Sequence, residues 1–208
     1  MGSSGRVGRP PAGNSDETRR SILRAARERF ARDGYRATTN KLIAADVGIT
    51  TTAIYHYVDS KAAMYAAVYC DVIDLVYTEF EQAAARESNL LARFSAVLRR
   101  ANELQLEDAS IAGFIVAVAQ ETQRHPDLLE LLTPQRARHQ RFFTGLVADA
   151  AEAGELQPDV DQTGLADLLG AVLTGLARMT NVAGDPSRYT AAVDALERFF
   201  DGTLVAPR

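Results

Sequence analysis

Residues 38–61 read Thr38-Thr39-Asn40-Lys41-Leu42-Ile43-Ala44-Ala45-Asp46-Val47-Gly48-Ile49-Thr50-Thr51-Thr52-Ala53-Ile54-Tyr55-His56-Tyr57-Val58-Asp59-Ser60-Lys61. Two short helical patterns meet across a glycine. Thr39 is placed to cap the first, Ile43 and Val47 give it an i, i+4 apolar pair, and Gly48 ends it. Thr50 caps the second, whose apolar positions are Ile54, Tyr57 and Val58. Two helices that cross steeply after three or four linking residues need a backbone position of positive φ, which Gly48 supplies at little cost.

Upstream, Ile22, Leu23, Ala26 and Phe30 mark one face of a helix that should open after Asn14 or Ser15 and stop at Gly34. Downstream, Ser60 opens a long helix with Met64, Val68, Val72, Leu75, Val76 and Phe80 on one side. Further helical segments are expected near 89–107, 109–123, 134–154, 160–182 and 186–201, divided at Asp108, His125-Pro126, Thr133-Pro134, Gly154 and Gly184-Asp185-Pro186. No segment alternates with a period of two, so the expected fold is all-α with about nine helices. It divides into a flexible basic arm over 1–13, a three-helix helix-turn-helix unit over 14–59 and a helical body over 60–208.

Composition narrows the function. The chain has 208 residues, 47% apolar and 24% charged, and no run nears the roughly 18 apolar residues of a membrane span. The first residues carry no apolar leader, so a cytoplasmic location away from membranes is expected. Cys70 is the single cysteine, and the histidines are His56, His125 and His139. A disulfide framework, a cysteine-rich zinc site and a histidine cluster are therefore not expected, and no cofactor is called for. Residues 1–58 carry ten Arg/Lys against five Asp/Glu, whereas the whole chain has a net charge of −4. A basic front on an acidic body suits a polyanion partner; chance clustering on a solvated helix suits it equally.

A tri-helical unit behind a basic arm has the geometry of a DNA reader, whose last helix enters the major groove of duplex DNA. Thr50, Thr51 and Thr52 stand at the tip of that helix, and Tyr55 and His56 follow one turn on. Lys61 opens the next helix, and Thr38, Thr39, Asn40 and Lys41 form a second polar cluster. Arg6 and Arg9 in the arm suit the adjacent minor groove. The plain alternative makes the threonines caps and the aromatics core. It fits Tyr57, which shares a face with Ile54, but leaves Thr51, Tyr55 and Lys61 without a role.

These residues carry a resemblance. Gly34-Tyr35-Arg36-Ala37-Thr38-Thr39, Ile43 through Thr50, Ile54 through Val58 and Ser60-Lys61 resemble the N-terminal signature of the TetR/AcrR transcriptional regulators, over about residues 16–68. The resemblance implies that Thr39, Tyr55 and Lys61 meet phosphates and that residues 50–56 form the recognition helix. It departs at Val58, where phenylalanine is usual, at Asp59, and at Thr52, which often has glycine as its counterpart. For the body it implies a dimer made by the last two helices, with Leu165, Leu169, Val172, Leu176, Leu196 and Phe200 as candidate interface residues. It also implies a cavity for a small, largely apolar effector, for which Phe94, Ile111, Phe114, Ile115, Val118, Phe142, Phe143 and Leu146 are candidates. Arg136, Arg138, His139 and Arg141 read either as a solvated face or as a mouth for an anionic headgroup.

The implied function is a ligand-responsive regulator, a repressor that binds a palindromic operator as a homodimer and is released by its effector. An all-α enzyme is the competing class. No Ser/His/Asp spacing, metal-ligand cluster or glycine-rich phosphate loop supports it. A helical protein–protein adaptor is the third class, and it would not need the threonine, tyrosine and lysine set.

Overall fold

The computed structural model describes residues 12–183, 185 and 187–205. Within them the chain forms α1 (Ala12–Ala37), α2 (Asn40–Asp46), α3 (Thr51–Ile54), α4 (Lys61–Ala84), α5 (Leu90–Glu107), α6 (Ala109–Arg124), α7 (Pro126–Glu152), α8 (Gln162–Ala183) and α9 (Ser187–Phe200). No strand occurs among the described residues. Most of the arm expected over 1–13, with Arg6 and Arg9, lies outside the described residues, and α1 starts at Ala12, earlier than Asn14.

Local chemistry accounts for most boundaries. The side chains of Thr39, Thr50, Ser60 and Asn89 each accept the backbone N–H of the third residue of the next helix, as N-caps do. Gly34 breaks α1 at φ 78°, ψ 171°, and Gly48 ends α2 at φ 71°. A further boundary differs from expectation. Pro134 lies inside α7, which begins at Pro126, where a missing N–H costs nothing. Thr133, read as punctuation, instead turns its hydroxyl back to the carbonyl of Leu129 at 2.8 Å.

The core is continuous from the first three helices to the rest of the described chain. Phe30 of α1, Tyr65 of α4 and Phe114 of α6 are all nearly inaccessible, with ring centroids 4.8 Å (Phe30–Tyr65) and 5.0 Å (Tyr65–Phe114) apart. Truncating one such aromatic costs about 3–5 kcal/mol, so the two regions are bonded through a shared apolar centre. The face of α4 is broader than its leucine and valine spacing suggests. Tyr65, Tyr69, Ile73 and Tyr77 are buried, whereas Leu75, expected inside, is exposed.

α1 packs most extensively on α6. Arg27 of α1 is buried and forms an ion pair with Asp108, the N-cap of α6, while its Nε donates to Ser110 Oγ at 2.8 Å. Deeper in the body, Gly170 of α8 sits so close to α7 that a Cβ there would lie 2.9 Å from His139 Nε2.

Candidate functional site

The candidate reading helix is short. α3 has four residues and continues as hydrogen-bonded turns, with Tyr57 N–H on Ile54 O at 2.8 Å. Ile43, Ala44 and Ile54 face inward and are buried, and Tyr57 and Val58 pack against the core. The opposite surface carries Lys41, Thr50, Thr52, Tyr55 and His56, all exposed, with Thr51 half-buried between them. Tyr55 is 53% exposed, a large aromatic left in solvent with its hydroxyl available.

Thr39 and Thr50 spend one lone pair each as caps, accepting Leu42 N–H at 3.3 Å and Ala53 N–H at 3.1 Å. A hydroxyl that accepts in this way still has its O–H to donate, so capping and phosphate contact are compatible. Thr38 is different. It has no solvent exposure, and its hydroxyl donates to Gly34 O at 2.9 Å. Thr38 is therefore a tie across the α1 break, which corrects its place among the DNA-facing residues. Asn40 is buried as well.

Lys61, of the same expected set, is half-buried at the start of α4. Its ammonium donates to Tyr35 O at 2.9 Å and Arg36 O at 3.3 Å and lies 4.4 Å from the centroid of the Tyr35 ring. Burial is the main cause that lowers its pKa, with Arg36 adding to it.

The basic front is partly neutralised from within. Arg29 grips Asp46 with two hydrogen bonds, at 2.5 and 2.7 Å, Arg32 pairs with Asp33, and Arg27 with Asp108. Arg19, Arg20, Arg24, Arg36 and Lys41 remain exposed, and none of these five is in an ion pair among the described residues.

Most of the expected effector residues lie in the core. Phe94, Ile111, Phe114, Val118, Phe143 and Leu146 are buried, and Ile115 is half-buried. They fill space because the aromatic rings interlock, with Phe94–Phe143 at 6.5 Å and Phe142–Phe143 at 5.1 Å. A cavity of about 440 Å³ does open between α4 and α7, lined by Asp74, Glu81, Pro134, Gln135, Arg138, Arg141 and Phe142. Only Phe142 belongs to the expected set. Arg138 bonds Asp74 at 2.5 Å and Glu81 at 3.3 Å. Gln135 Oε1 is buried without a partner, and Arg141 is exposed and unpaired among the described residues. Charge therefore dominates a lining that was expected to be apolar.

On α8 and α9, Leu169 is 5% exposed and belongs to the protomer's own core, which corrects its place in the interface stripe. Leu165, Val172, Leu176, Leu196 and Phe200 are half-buried. The strongly exposed apolar residues there are Leu168 at 57% and Phe199 at 64%, which the spacing argument missed by one position each. A helix wraps its stripe with a tolerance of one residue either way, so only burial separates inward from outward here.

Among the described residues no helix is long and apolar enough to cross a membrane. Residues 22–68 match the model of the bacterial regulatory proteins of the tetR family, and residues 88–196 match that of the tetracyclin repressor-like C-terminal domain. The chain is 25% identical over 192 residues to the HTH-type transcriptional regulator UidR of Escherichia coli K12, covering 91% of this chain and 94% of that one. It is 24% identical over 154 residues to the HTH-type transcriptional repressor KstR2 of Mycolicibacterium smegmatis, covering 73% and 71%. Among solved structures, GusR of Salmonella enterica superposes with a TM-score of 0.72 at 25% identity, over 96% of this chain and 99% of that one. FadR of Bacillus subtilis, solved with stearoyl-CoA, shares the fold with a TM-score of 0.74 at 15% identity, over 85% and 96%.

Proposed function

The chain belongs to the tetR family of bacterial regulatory proteins, and from that premise we propose that it is a repressor that holds a palindromic operator as a homodimer and releases it when a small molecule occupies the body. Its relatives are helix-turn-helix transcriptional regulators, and like them it is not an enzyme.

The observation that carries the reading is the exposed polar face of α2 and α3. Thr39, Lys41, Thr50, Thr52, Tyr55 and His56 stand in solvent over a buried Ile43 and Ile54, with Thr51 at their edge. Short hydroxyls at the tip reach base edges, while Thr39, Lys41, Tyr55 and His56 reach phosphates. Two such readers related by a two-fold axis fit two half-sites, and the exposed Leu168 and Phe199 supply an apolar surface for that pairing.

The cavity between α4 and α7 supports an effector with polar groups: Arg138 and Arg141 offer donors, Asp74, Glu81 and Gln135 acceptors, and Phe142 one aromatic wall. A ligand there acts on DNA binding only by preferring one arrangement of α4, the helix that continues from the reader.

Selection of duplexes from a random pool, followed by fluorescence anisotropy, tests the DNA reading. The expected product is a palindromic site whose log–log salt slope is about −0.9 per phosphate neutralised. Recovery of no enriched sequence, or of a site bound by one protomer, sinks it.

A further inference from the structure

We infer that the cavity between α4 and α7 receives a small organic anion with an apolar flank, and that the anion acts by drawing Arg138 off α4. This rests on the effector reading above, to which it adds the charge of the ligand and the contact that its binding breaks.

The two walls carry opposite charge. Asp74, Thr78 and Glu81 recur on α4 at spacings of four and three residues, so they share one face. Arg138 and Arg141 stand three residues apart on α7, and both line the cavity with Asp74 and Glu81. Three of these four charges are committed to one another. The Arg138 guanidinium donates to Asp74 Oδ1 at 2.5 Å, to Glu81 Oε1 at 3.3 Å and to Thr78 Oγ1 at 3.4 Å. Arg141 is exposed and pairs with no acid among the described residues. An ammonium entering here would find both acids already shared and two guanidiniums beside it. A carboxylate finds Arg141 free and Arg138 one turn away, and between two guanidiniums it accepts charge-assisted hydrogen bonds. Phe142, next to Arg141, also lines the cavity and is half-buried against Tyr77 and Phe80, with ring centroids 5.4 and 6.0 Å apart. It offers an apolar flank a surface to lie on.

The bonds from Arg138 to α4 are of a kind that a ligand can take over. The side chains of Asp74 and Glu81 are 67% and 53% exposed, and ion pairs of such groups contribute little to stability. Swinging the guanidinium to a carboxylate held with Arg141 exchanges them for stronger contacts. It also removes the outer tie between α4 and α7, while the inner tie, from the Tyr77 hydroxyl to His139 Nδ1, stays. The anion therefore prefers the arrangement in which α4 is free of Arg138. That preference is the differential affinity which any release of DNA through α4 requires.

The test titrates full-length protein, without DNA and at low salt, by calorimetry. The probes are cinnamate, cinnamamide and cinnamylamine, which share a skeleton and differ in charge, and acetate, an anion without the flank. Cinnamate should bind about tenfold tighter than the amide, the amine or acetate. Arg141→Gln should bring cinnamate down to the level of cinnamamide and leave cinnamamide unchanged. Asp74→Asn removes the competitor for Arg138 and should raise cinnamate affinity about threefold. Asp71 is exposed one turn earlier on α4 and is in no ion pair among the described residues, so Asp71→Asn removes the same charge without freeing Arg138 and should not raise it. Far-UV circular dichroism screens for folding, and Glu81→Gln, which frees the same guanidinium, replaces Asp74→Asn if that variant fails. No binding of cinnamate at millimolar concentration, equal or tighter binding of cinnamylamine or acetate, or equal effects of the Asp71 and Asp74 variants overturns the inference. Operator release by cinnamate is read separately by fluorescence anisotropy. Cinnamate bound as expected with the operator retained would overturn the effector reading and leave the ligand class standing.

Discussion

The Tyr77 hydroxyl lies 2.5 Å from Nδ1 of His139, joining α4 to α7 inside the body. Burial raises the Tyr77 pKa well above the usual phenol range and lowers that of His139, with Arg136 adding to the latter and Asp167 opposing it. Tyr77 is therefore the donor and His139 a neutral acceptor. A histidine held below its ordinary value binds its proton less readily folded than unfolded. The stability it contributes is present above about pH 6.5 and is lost as pH falls toward the folded value. Thermal unfolding should show a falling midpoint between pH 7.5 and 5.5, with a shallower dependence in His139→Gln. An identical pH profile in that variant would remove His139 from the account.

The two glycines on either side of α2 should differ in their tolerance of alanine. Gly34 sits at φ 78°, ψ 171°, a region open essentially to glycine alone, and a Cβ there would lie 3.2 Å from Glu121 Oε1. Gly48 has φ 71° with nothing within 4 Å of a built Cβ. Gly34→Ala should cost about 2–3 kcal/mol and Gly48→Ala about 1–2 kcal/mol in chemical denaturation. Equal costs would mean that the Glu121 contact gives way freely.

Base choice and backbone grip should separate by residue. Tyr55→Phe should cost about 0.5–1.5 kcal/mol of affinity on every sequence, the worth of one hydrogen bond. Thr51→Ala and Thr52→Ala should each relax one base pair per half-site, at about 1–3 kcal/mol there and little elsewhere. Repeated duplex selection with each variant reads this directly. A uniform loss in both threonine variants would make them backbone contacts.

A charge placed on α8 should act differently at neighbouring positions. Leu168 is exposed in the protomer and Leu169 is not. Leu168→Glu should leave a helical, folded monomer, whereas Leu169→Glu buries an unpaired carboxylate and should unfold the body, at a cost of several kcal/mol. Sedimentation with circular dichroism distinguishes the two. A dimeric Leu168→Glu protein would place the interface elsewhere.

What could be read from the sequence was local. Thr39, Thr50 and Ser60 announce their helices because a cap needs only the next three residues. The α2–Gly48–α3 turn was legible for the same reason. The long-range partners were not. Nothing near Lys61 in sequence points to the carbonyl of Tyr35, 26 residues away, and nothing near Glu121 points to the Tyr35 N–H, 86 residues away. Thr38 and Thr39 look alike as letters, yet one is buried against Gly34 O and the other is exposed. Likewise the aromatic residues of α5–α7 show that a core exists, but which of them touch a cavity depends on how α4 and α7 meet.

The close approach of Gly170 to His139 has a consequence for how this protein can change over generations. A side chain at 170 would meet His139 Nε2 and Phe143, at 2.9 and 3.4 Å for the Cβ alone, and would push the imidazole off Tyr77. A smaller residue at 139 removes that obstacle but gives up the hydroxyl's partner. The two positions should therefore be bound by order: replacement of His139 opens the way to alanine or serine at 170, and the reverse sequence passes through a protein that packs badly. Among descendants of this chain, the larger residue at 170 should be found only beside a shortened one at 139.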